Sequence, residues 1–353
     1  MTQIDRSCPV LVTGATGYVA GWLVRRLLED GLTVHAAVRD PDNADKLKYL
    51  SAIAEESPGE IRYFRSDLLE AGSYAEAMQG CELVYHTASP FVMSVDNPQR
   101  DLVDPVVQGT QIVLEEASRT DSVKRVVVTS SVVAIYGDNI DLQNSATGQF
   151  TEQDWNTTSS LTHNPYSYSK VQAERAAWKI AESQQQWDLV TINPGLVIGP
   201  GINPHATSES FTLMKNFGNG KMRMGVPDYG LGIVDVRDVA EAHRKAGFTP
   251  EASGRYLISA HNSSFPEMAK PLRKAFGNAY PFPLFTSPKP LVWLFGPLLD
   301  KTLTRTNISR NVGHPFVADN SKSVTELGMT YRPHDESVVD FFQQLVDSGA
   351  FRK

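Results

Sequence analysis

The chain has 353 residues, 41% hydrophobic and 21% charged, the make-up of one large α/β domain with an appended lobe. Thirty-three basic residues against 40 acidic ones leave a net charge of -7, which argues against the basic footprint that nucleic-acid binding needs. The two cysteines, Cys8 and Cys81, form no CxxC and fit a reducing cytoplasm, and Met1 to Ser7 reads as no secretory signal.

Taken in order, the first half alternates strand-like and helix-like segments. Val10 to Thr13 is a β-branched run ending in a glycine turn, and Trp22 to Leu28 is apolar at helical spacing with Gly31 as its stop. Strands are predicted at Thr33 to Val38, Arg62 to Arg65, Leu83 to Thr87 and Arg125 to Ser130, with a helix over Val106 to Ser118. A helix over Pro165 to Glu182 and a strand over Asp188 to Asn193 follow. Such alternation predicts an α/β fold with a doubly wound parallel sheet. From Gly201 onward glycine, proline and polar residues interrupt the periodicity, apart from Ile233 to Val236 and Arg255 to Ile258. Residues 1–200 and about 225–260 are therefore expected to form a dinucleotide-binding domain, and about 201–224 and 261–353 a smaller substrate lobe. Pro290 to Leu299 (PLVWLFGPLL) is about half the length that spans a bilayer and reads as a lid or a buried helix, so no membrane partner is expected.

The turn Gly14-Ala15-Thr16-Gly17-Tyr18-Val19-Ala20 joins the first strand to an amphipathic helix. Its glycines allow a tight bend and close approach of backbone to a pyrophosphate, which the N–H groups and positive dipole end of the helix then attract. Ala20 stands where a third glycine is usual, and one added methyl predicts a slight shift. At the end of the second strand Arg39 comes first, then Asp40, with Lys46 soon after. A base there pairs with the 2′-phosphate of NADP, whereas an acid would accept from the ribose of NAD, so NADP (as NADPH) is the expected cofactor. The alternative is that Asp40 points inward and Arg39 is merely solvated.

Tyr166 and Lys170 are four residues apart behind Asn164, a candidate N-cap, and Pro165, which suits the first helical position. That spacing puts phenol and ammonium on one helical face, where the ammonium favours the phenolate and the pair can move a proton at neutral pH. Thr129, Ser130 and Ser131 close the strand RVVVT, at the strand end where open α/β sheets place ligands. A serine hydroxyl there can hold a substrate carbonyl oxygen; the spacing leaves Ser130 and Ser131 as alternatives. His163 either touches substrate or is a solvated loop histidine. No histidine or cysteine spacing predicts a metal site.

With VTGATGYVAGWLV, AAVRDPDNADKLKYL, SDL, YHTASP, VVVTSS, NPYSYSK and NPGLVIGP in view, the chain resembles the extended short-chain dehydrogenase/reductases, within them the dihydroflavonol reductase-like and aldehyde (methylglyoxal) reductase group. The resemblance implies a Rossmann-type sheet and a catalytic set of Ser131, Tyr166 and Lys170. It further implies that Gly14, Thr16, Gly17, Tyr18 and Val19 hold the pyrophosphate, and that Arg39 and Lys46 meet the 2′-phosphate. Asp67 and Leu68 would flank the adenine, and Thr87, Ala88, Ser89 and Thr129 the middle of the cofactor. Pro194, Gly195, Leu196 and Val197 would lie beside the nicotinamide, with Ser210 a further cofactor candidate. The expected reaction is NADPH-dependent reduction of an aldehyde or ketone, with a small-molecule carbonyl compound as partner.

Departures bear on the substrate. VVAIYGDN follows the serines instead of the polar stretch of plant flavonoid reductases, and the NWYCYGK-like signature of cinnamoyl-CoA reductases is absent. IYG is similar to sugar-nucleotide epimerases and dehydratases, so that chemistry, or a 3β-hydroxysteroid dehydrogenase activity, is the alternative. A non-catalytic NADP sensor is a third reading, disfavoured by the presence of both Tyr166 and Lys170. Monomer and homodimer both stay open.

Overall fold

A computed structural model describes residues 1–90, 95–299 and 303–351; positions 300–302 and 352–353 of the expected lobe lie outside the described residues. β1 (Val10–Thr13) is buried at every residue and leads into α1 (Tyr18–Glu29), whose Leu23, Val24, Leu27 and Leu28 cover one face of the sheet before Gly31, at φ +78°, turns the chain. β2 (Thr33–Val38), α2 (Ala44–Glu55), β3 (Glu60–Arg65), the short α3 (Ala75–Met78) and β4 (Leu83–His86) follow. α4 (Asp104–Arg119), β5 (Arg125–Thr129), α5 (Pro165–Glu182) and β6 (Asp188–Pro194) complete the first half. Next come β7 (Leu196–Ile198), α6 (Glu209–Gly218), β8 (Val226–Pro227), β9 (Gly230–Asp235), α7 (Val236–Phe248) and β10 (Gly254–Ile258). β11 (His261–Ser264), α8 (Phe265–Phe276), β12 (Thr286–Ser287), α9 (Lys289–Leu299), α10 (Arg305–Asn311), α11 (Ser321–Glu326) and α12 (His334–Asp347) end the chain.

Seven strands form one sheet in the order β10-β6-β5-β4-β1-β2-β3, every pair parallel. This is the doubly wound, Rossmann-type α/β fold expected. The chain winds from β1 outward to β3, then returns to the other side of β1 with β4. The carboxyl ends of β1 and β4 therefore part around a crevice, the place where such sheets bind ligands. Arg125, wholly buried on β5, helps fix this frame. It pairs with both oxygens of Asp188 on β6 (2.7 and 2.9 Å) and donates to the carbonyls of Thr249 (2.6 Å) and Ala252 (3.2 Å) between α7 and β10.

Ile233 lies in a separate three-stranded sheet, β11-β9-β7, while α7 and β10 return to the large sheet. Helices α6, α8 and α12 bury Phe211, Met214, Phe217, Met268, Leu272, Phe341 and Phe342 against that small sheet. Of these, α8 was hidden from the sequence reading by its prolines, one in the first turn and Pro271 inside the helix. α9 corrects the buried-helix alternative. It is a surface helix, with Leu291, Trp293, Leu294, Phe295 and Leu298 exposed, and it packs on α10, where a Cβ on Gly296 would come 3.0 Å from Ile308. No described helix is long and apolar enough to cross a membrane.

Candidate active site

Every strand that flanks the crevice delivers a site residue from its carboxyl end. β1 ends at Thr13 and hands over to Gly14, whose φ of +62° and whose fit against Ala88 (a Cβ would lie 3.0 Å from Ala88 Cα) leave room for no side chain. A valine at Gly14 would thus strain the turn itself, beyond blocking a ligand. Gly17 caps α1 with no side-chain hydrogen bond, and no acidic residue occupies the first turn of the helix. Thr16 and Gly17 are exposed and Val19 is half-buried, so the free N–H groups and the positive helix end face the crevice unopposed. Ala20 is accommodated in the core, 2% exposed. Tyr18 contributes backbone only, because its phenol donates to the carbonyl of Gly199 and its ring packs on Phe211 and Phe341.

Thr13 was missed by sequence reasoning. Its hydroxyl accepts from the backbone N–H groups of Thr87 (3.1 Å) and Ala88 (3.0 Å), tying β1 to the strand-end loop after β4. With both lone pairs used, it must donate its proton to Nδ1 of His86, 3.0 Å away. His86 is therefore neutral with its proton on Nε2, and burial, helped by the nearby charge of Lys170, pushes its pKa down to about 3. Thr87 in turn donates to the carbonyl of Thr13 at 2.5 Å.

At the end of β2, Arg39 and Asp40 are both exposed, so both side chains of the expected cofactor rim are open to a ligand. Among the described residues neither Arg39 nor Lys46 has an ion-pair partner, whereas Asp40 has one: Arg65, the last residue of β3, at 3.8 Å. Beyond it Ser66 is buried with an unpartnered hydroxyl. Asp67 is exposed and accepts from the N–H of Leu69 (2.9 Å); Leu68 fills the space that Gly109 on α4 leaves, where a Cβ would meet it at 2.5 Å. The glycine cradle, the bare helix end, the unpartnered Ser66 hydroxyl and the two free cations fit a dinucleotide with an added phosphate.

On α5, Lys170 lies with Nζ 5.7 Å from the centroid of the Tyr166 ring and donates to Ser89 at 3.1 Å, joining α5 to the loop after β4. Tyr166 is 55% exposed, an unusual setting for an aromatic ring and the one a substrate-facing phenol requires. The two serines differ. Ser130 is buried and its hydroxyl donates to Glu174, while Ser131 is half-buried and its hydroxyl accepts only from the N–H of Val133 at 3.3 Å. Glu174, four residues beyond Lys170 on the same helical face, also takes Arg255 Nε (2.6 Å) and Asn193 Nδ2 (2.7 Å). Asn193 donates as well to the carbonyl of Ser131 at 3.1 Å, so one buried carboxylate locks α5, β5, β6 and β10 together. The Thr129 hydroxyl is engaged with His243 at 2.7 Å, beneath the crevice. Pro194 is buried and Gly195, Leu196 and Val197 are half-buried along the β6–β7 corner, which approaches Gly232 so closely that a Cβ on Gly195 would lie 2.5 Å from its carbonyl. Ser210 is buried in the first turn of α6.

The start of α5 is also unlike its expected form. Asn164 stands at the N-cap position, but its side chain makes no capping bond; it sits in the left-handed region at φ +52°, alone among described non-glycine residues, and donates to Gly137 O (3.2 Å) and Asp138 (3.1 Å). Asp138 is wholly buried and draws in His163, Arg310 and Asn311 too, so His163 is tied to a buried carboxylate rather than solvated in a loop.

Residues 10–258 match the NAD dependent epimerase/dehydratase family. The chain belongs to the extended short-chain dehydrogenase/reductases. A cinnamoyl-CoA reductase of Medicago truncatula is 38% identical over 270 residues, covering 76% of this chain and 80% of that protein, although the NWYCYGK-like signature is missing here. A bifunctional dihydroflavonol 4-reductase/flavanone 4-reductase of Malus domestica is 32% identical over 272 residues, 76% of each chain. The crystal structure of Gre2 from Candida albicans in complex with NADPH is similar at a TM-score of 0.76 and 26% identity, over 97% of this chain and 99% of that one. As a member of this reductase family, the protein is an NAD(P)-dependent oxidoreductase.

Proposed function

We propose that this short-chain dehydrogenase/reductase uses NADPH to reduce an aldehyde or ketone to an alcohol. The observation that carries the reading is the Lys170 ammonium held between Ser89 and the exposed Tyr166 ring. NADPH, when bound, supplies the hydride to the carbonyl carbon. Arg39 and Lys46 would take its 2′-phosphate, the Gly14–Val19 turn its pyrophosphate, Ser66, Asp67 and Leu68 its adenosine half, and the β6–β7 corner its reacting ring. The Ser131 hydroxyl orients the carbonyl oxygen, and Tyr166 delivers its proton to that oxygen as negative charge develops there. The Lys170 ammonium then supports the phenolate left behind, and its contact with Ser89 keeps it at the middle of the cofactor site. Substrates are small carbonyl compounds, and the free thiols Cys8 and Cys81 suit a reducing cytoplasm.

Oxidation of NADPH and of NADH is followed with a panel of aldehydes, ketones and sugar nucleotides. NADPH turnover with the carbonyl compounds is expected, and Arg39→Asp should weaken NADPH about 10- to 100-fold more than NADH, the worth of a charge-assisted hydrogen bond. Wild-type preference for NADH, or NAD retained through purification with turnover of sugar nucleotides, would overturn the proposal in favour of epimerase-type chemistry.

A further inference from the structure

The cofactor rim contains a charge pattern that the NADPH reading does not by itself explain. The second strand delivers an acid, Asp40, directly beside Arg39, and Asp42 follows two residues later. An acid at this strand end favours a ribose 2′-hydroxyl and repels a 2′-phosphate, which carries close to two negative charges at neutral pH. The structure holds a counterweight that no motif at the end of β2 reveals. β3 pairs with β2 in register, Arg65 opposite Val38, so the last residue of β3 stands beside the strand end that presents Arg39 and Asp40. From there the guanidinium reaches across the edge of the sheet, 3.3 Å from Asp42 Oδ2 and 3.8 Å from Asp40 Oδ1. Asp40 is held in place by accepting from the N–H of Asp42 at 3.2 Å. The nearby Asp45 already faces Lys48 at 3.9 Å.

We propose that Arg65 determines cofactor choice by cancelling the charge of Asp40 and Asp42, which keeps the 2′-phosphate site cationic; this rests on NADPH being the cofactor. With Arg65 present, Arg39, Lys46 and Arg65 outweigh the two carboxylates by one charge. Without it the rim is neutral, and Asp40 is free to accept from the 2′-hydroxyl of NADH. All three members are well exposed (Arg65 67%, Asp40 48%, Asp42 88%), so Arg65 adds little to folding; it acts by drawing the two carboxylates to itself and so weakening the field they set against an incoming dianion. Such a field is screened over about 8 Å at physiological ionic strength, so the effect fades as salt rises.

The test is equilibrium binding. Affinities for 2′,5′-ADP and 5′-ADP are measured by calorimetry, and those for NADPH and NADH by fluorescence titration, at low and high salt. Arg65→Gln should lower the ratio of 2′,5′-ADP to 5′-ADP affinity about 3- to 10-fold at low salt and less at high salt, with thermal stability unchanged. In an Asp40→Asn/Asp42→Asn background the same substitution should change the ratio less than about twofold. A ratio unmoved by Arg65→Gln, or a loss undiminished in the Asn background, overturns the masking role. Wild-type protein that binds 2′,5′-ADP no more tightly than 5′-ADP instead sinks the NADPH reading itself, whatever Arg65 does.

Discussion

Nε2 of His163 lies 2.7 Å from Oδ2 of Asp138, a carboxylate with no exposure to solvent. The same carboxylate accepts from Arg310 (3.0 Å) and Asn311 (2.7 Å) of α10 and from Asn164 (3.1 Å), two residues ahead of Tyr166. The loop after Ser131, the start of α5 and the C-terminal part of the chain therefore meet on one carboxylate. Removing it strands four buried or half-buried donors. Asp138→Ala should cost about 3–5 kcal/mol of stability, as broken buried ion pairs do, whereas His163→Gln, which can still donate, should cost far less. The check on a positioning role is kinetic: in His163→Ala, kcat should fall several-fold more than the affinity for NADPH, and His163→Gln should recover most of it. Equal kinetics for the two variants would reject the idea.

Tyr166→Phe removes one oxygen and keeps the ring. Turnover should fall by about 10²–10⁴ while NADPH affinity stays nearly constant, the contribution expected of a positioned general acid. Tyr168, about 200° around the helix and half-buried, is the internal control. A Tyr168→Phe variant as damaged as Tyr166→Phe would remove the assignment.

Much of this site could be read from the chain, and what could not has a common cause. The glycine turn, Arg39 and the Tyr166–Lys170 pair are local signals: each needs only the strand or helix that carries it. Thr13, Glu174, Asp138 and Arg65 act across elements distant in sequence, through hydrogen bonds that only the folded sheet creates. Glu174 had a partial signal, four residues beyond Lys170 on one helical face, but its partners Ser130, Asn193 and Arg255 come from three other strand ends. Asn164 kept its expected N-cap position but not the capping bond. Its residue type suits an N-cap, yet asparagine also tolerates the left-handed conformation, and here the buried Asp138 made that second choice the favourable one.

The two strand-end serines should separate by stability and rate. Ser130→Ala deletes a hydroxyl bound to buried Glu174, which retains Arg255 and Asn193 as donors, so about 1 kcal/mol of stability should go while activity is largely kept. Ser131→Ala loses only a weak 3.3 Å contact with Val133 N–H in the free protein, so its melting temperature should barely move while kcat falls. Unfolding curves and steady-state rates on both variants decide it; the reverse pattern would move the substrate-holding role to Ser130.

Acid should destabilise the fold through two buried histidines. Burial lowers His86 from an ordinary 6.5 to about 3, with the charge of Lys170 adding to the shift. Burial also lowers His243, from 6.5 to about 4, against the smaller opposing effect of its hydrogen bond to the Val239 carbonyl. In the unfolded chain both imidazoles take up protons as pH drops through 6.5; in the folded chain they do so only near 3 and 4. Between these limits the unfolded state binds more protons, so stability is full above about 6.5 and declines as pH falls, by up to about 1.4 kcal/mol per pH unit for each group. Carboxylates add their own acid sensitivity lower down, so the decisive measurement is site-specific. Imidazole resonances of His86 and His243 followed by NMR should remain those of the neutral ring at pH 5.5, with His86 carrying its proton on Nε2. The shape should match in urea denaturation, with a flat midpoint above pH 7 and a falling one from pH 6.5 to 4.5. If either imidazole titrates near 6.5 in the folded protein, the hydrogen bond from Thr13 to His86 or from Thr129 to His243 is not made as described, and the cofactor crevice loses one of the supports beneath it.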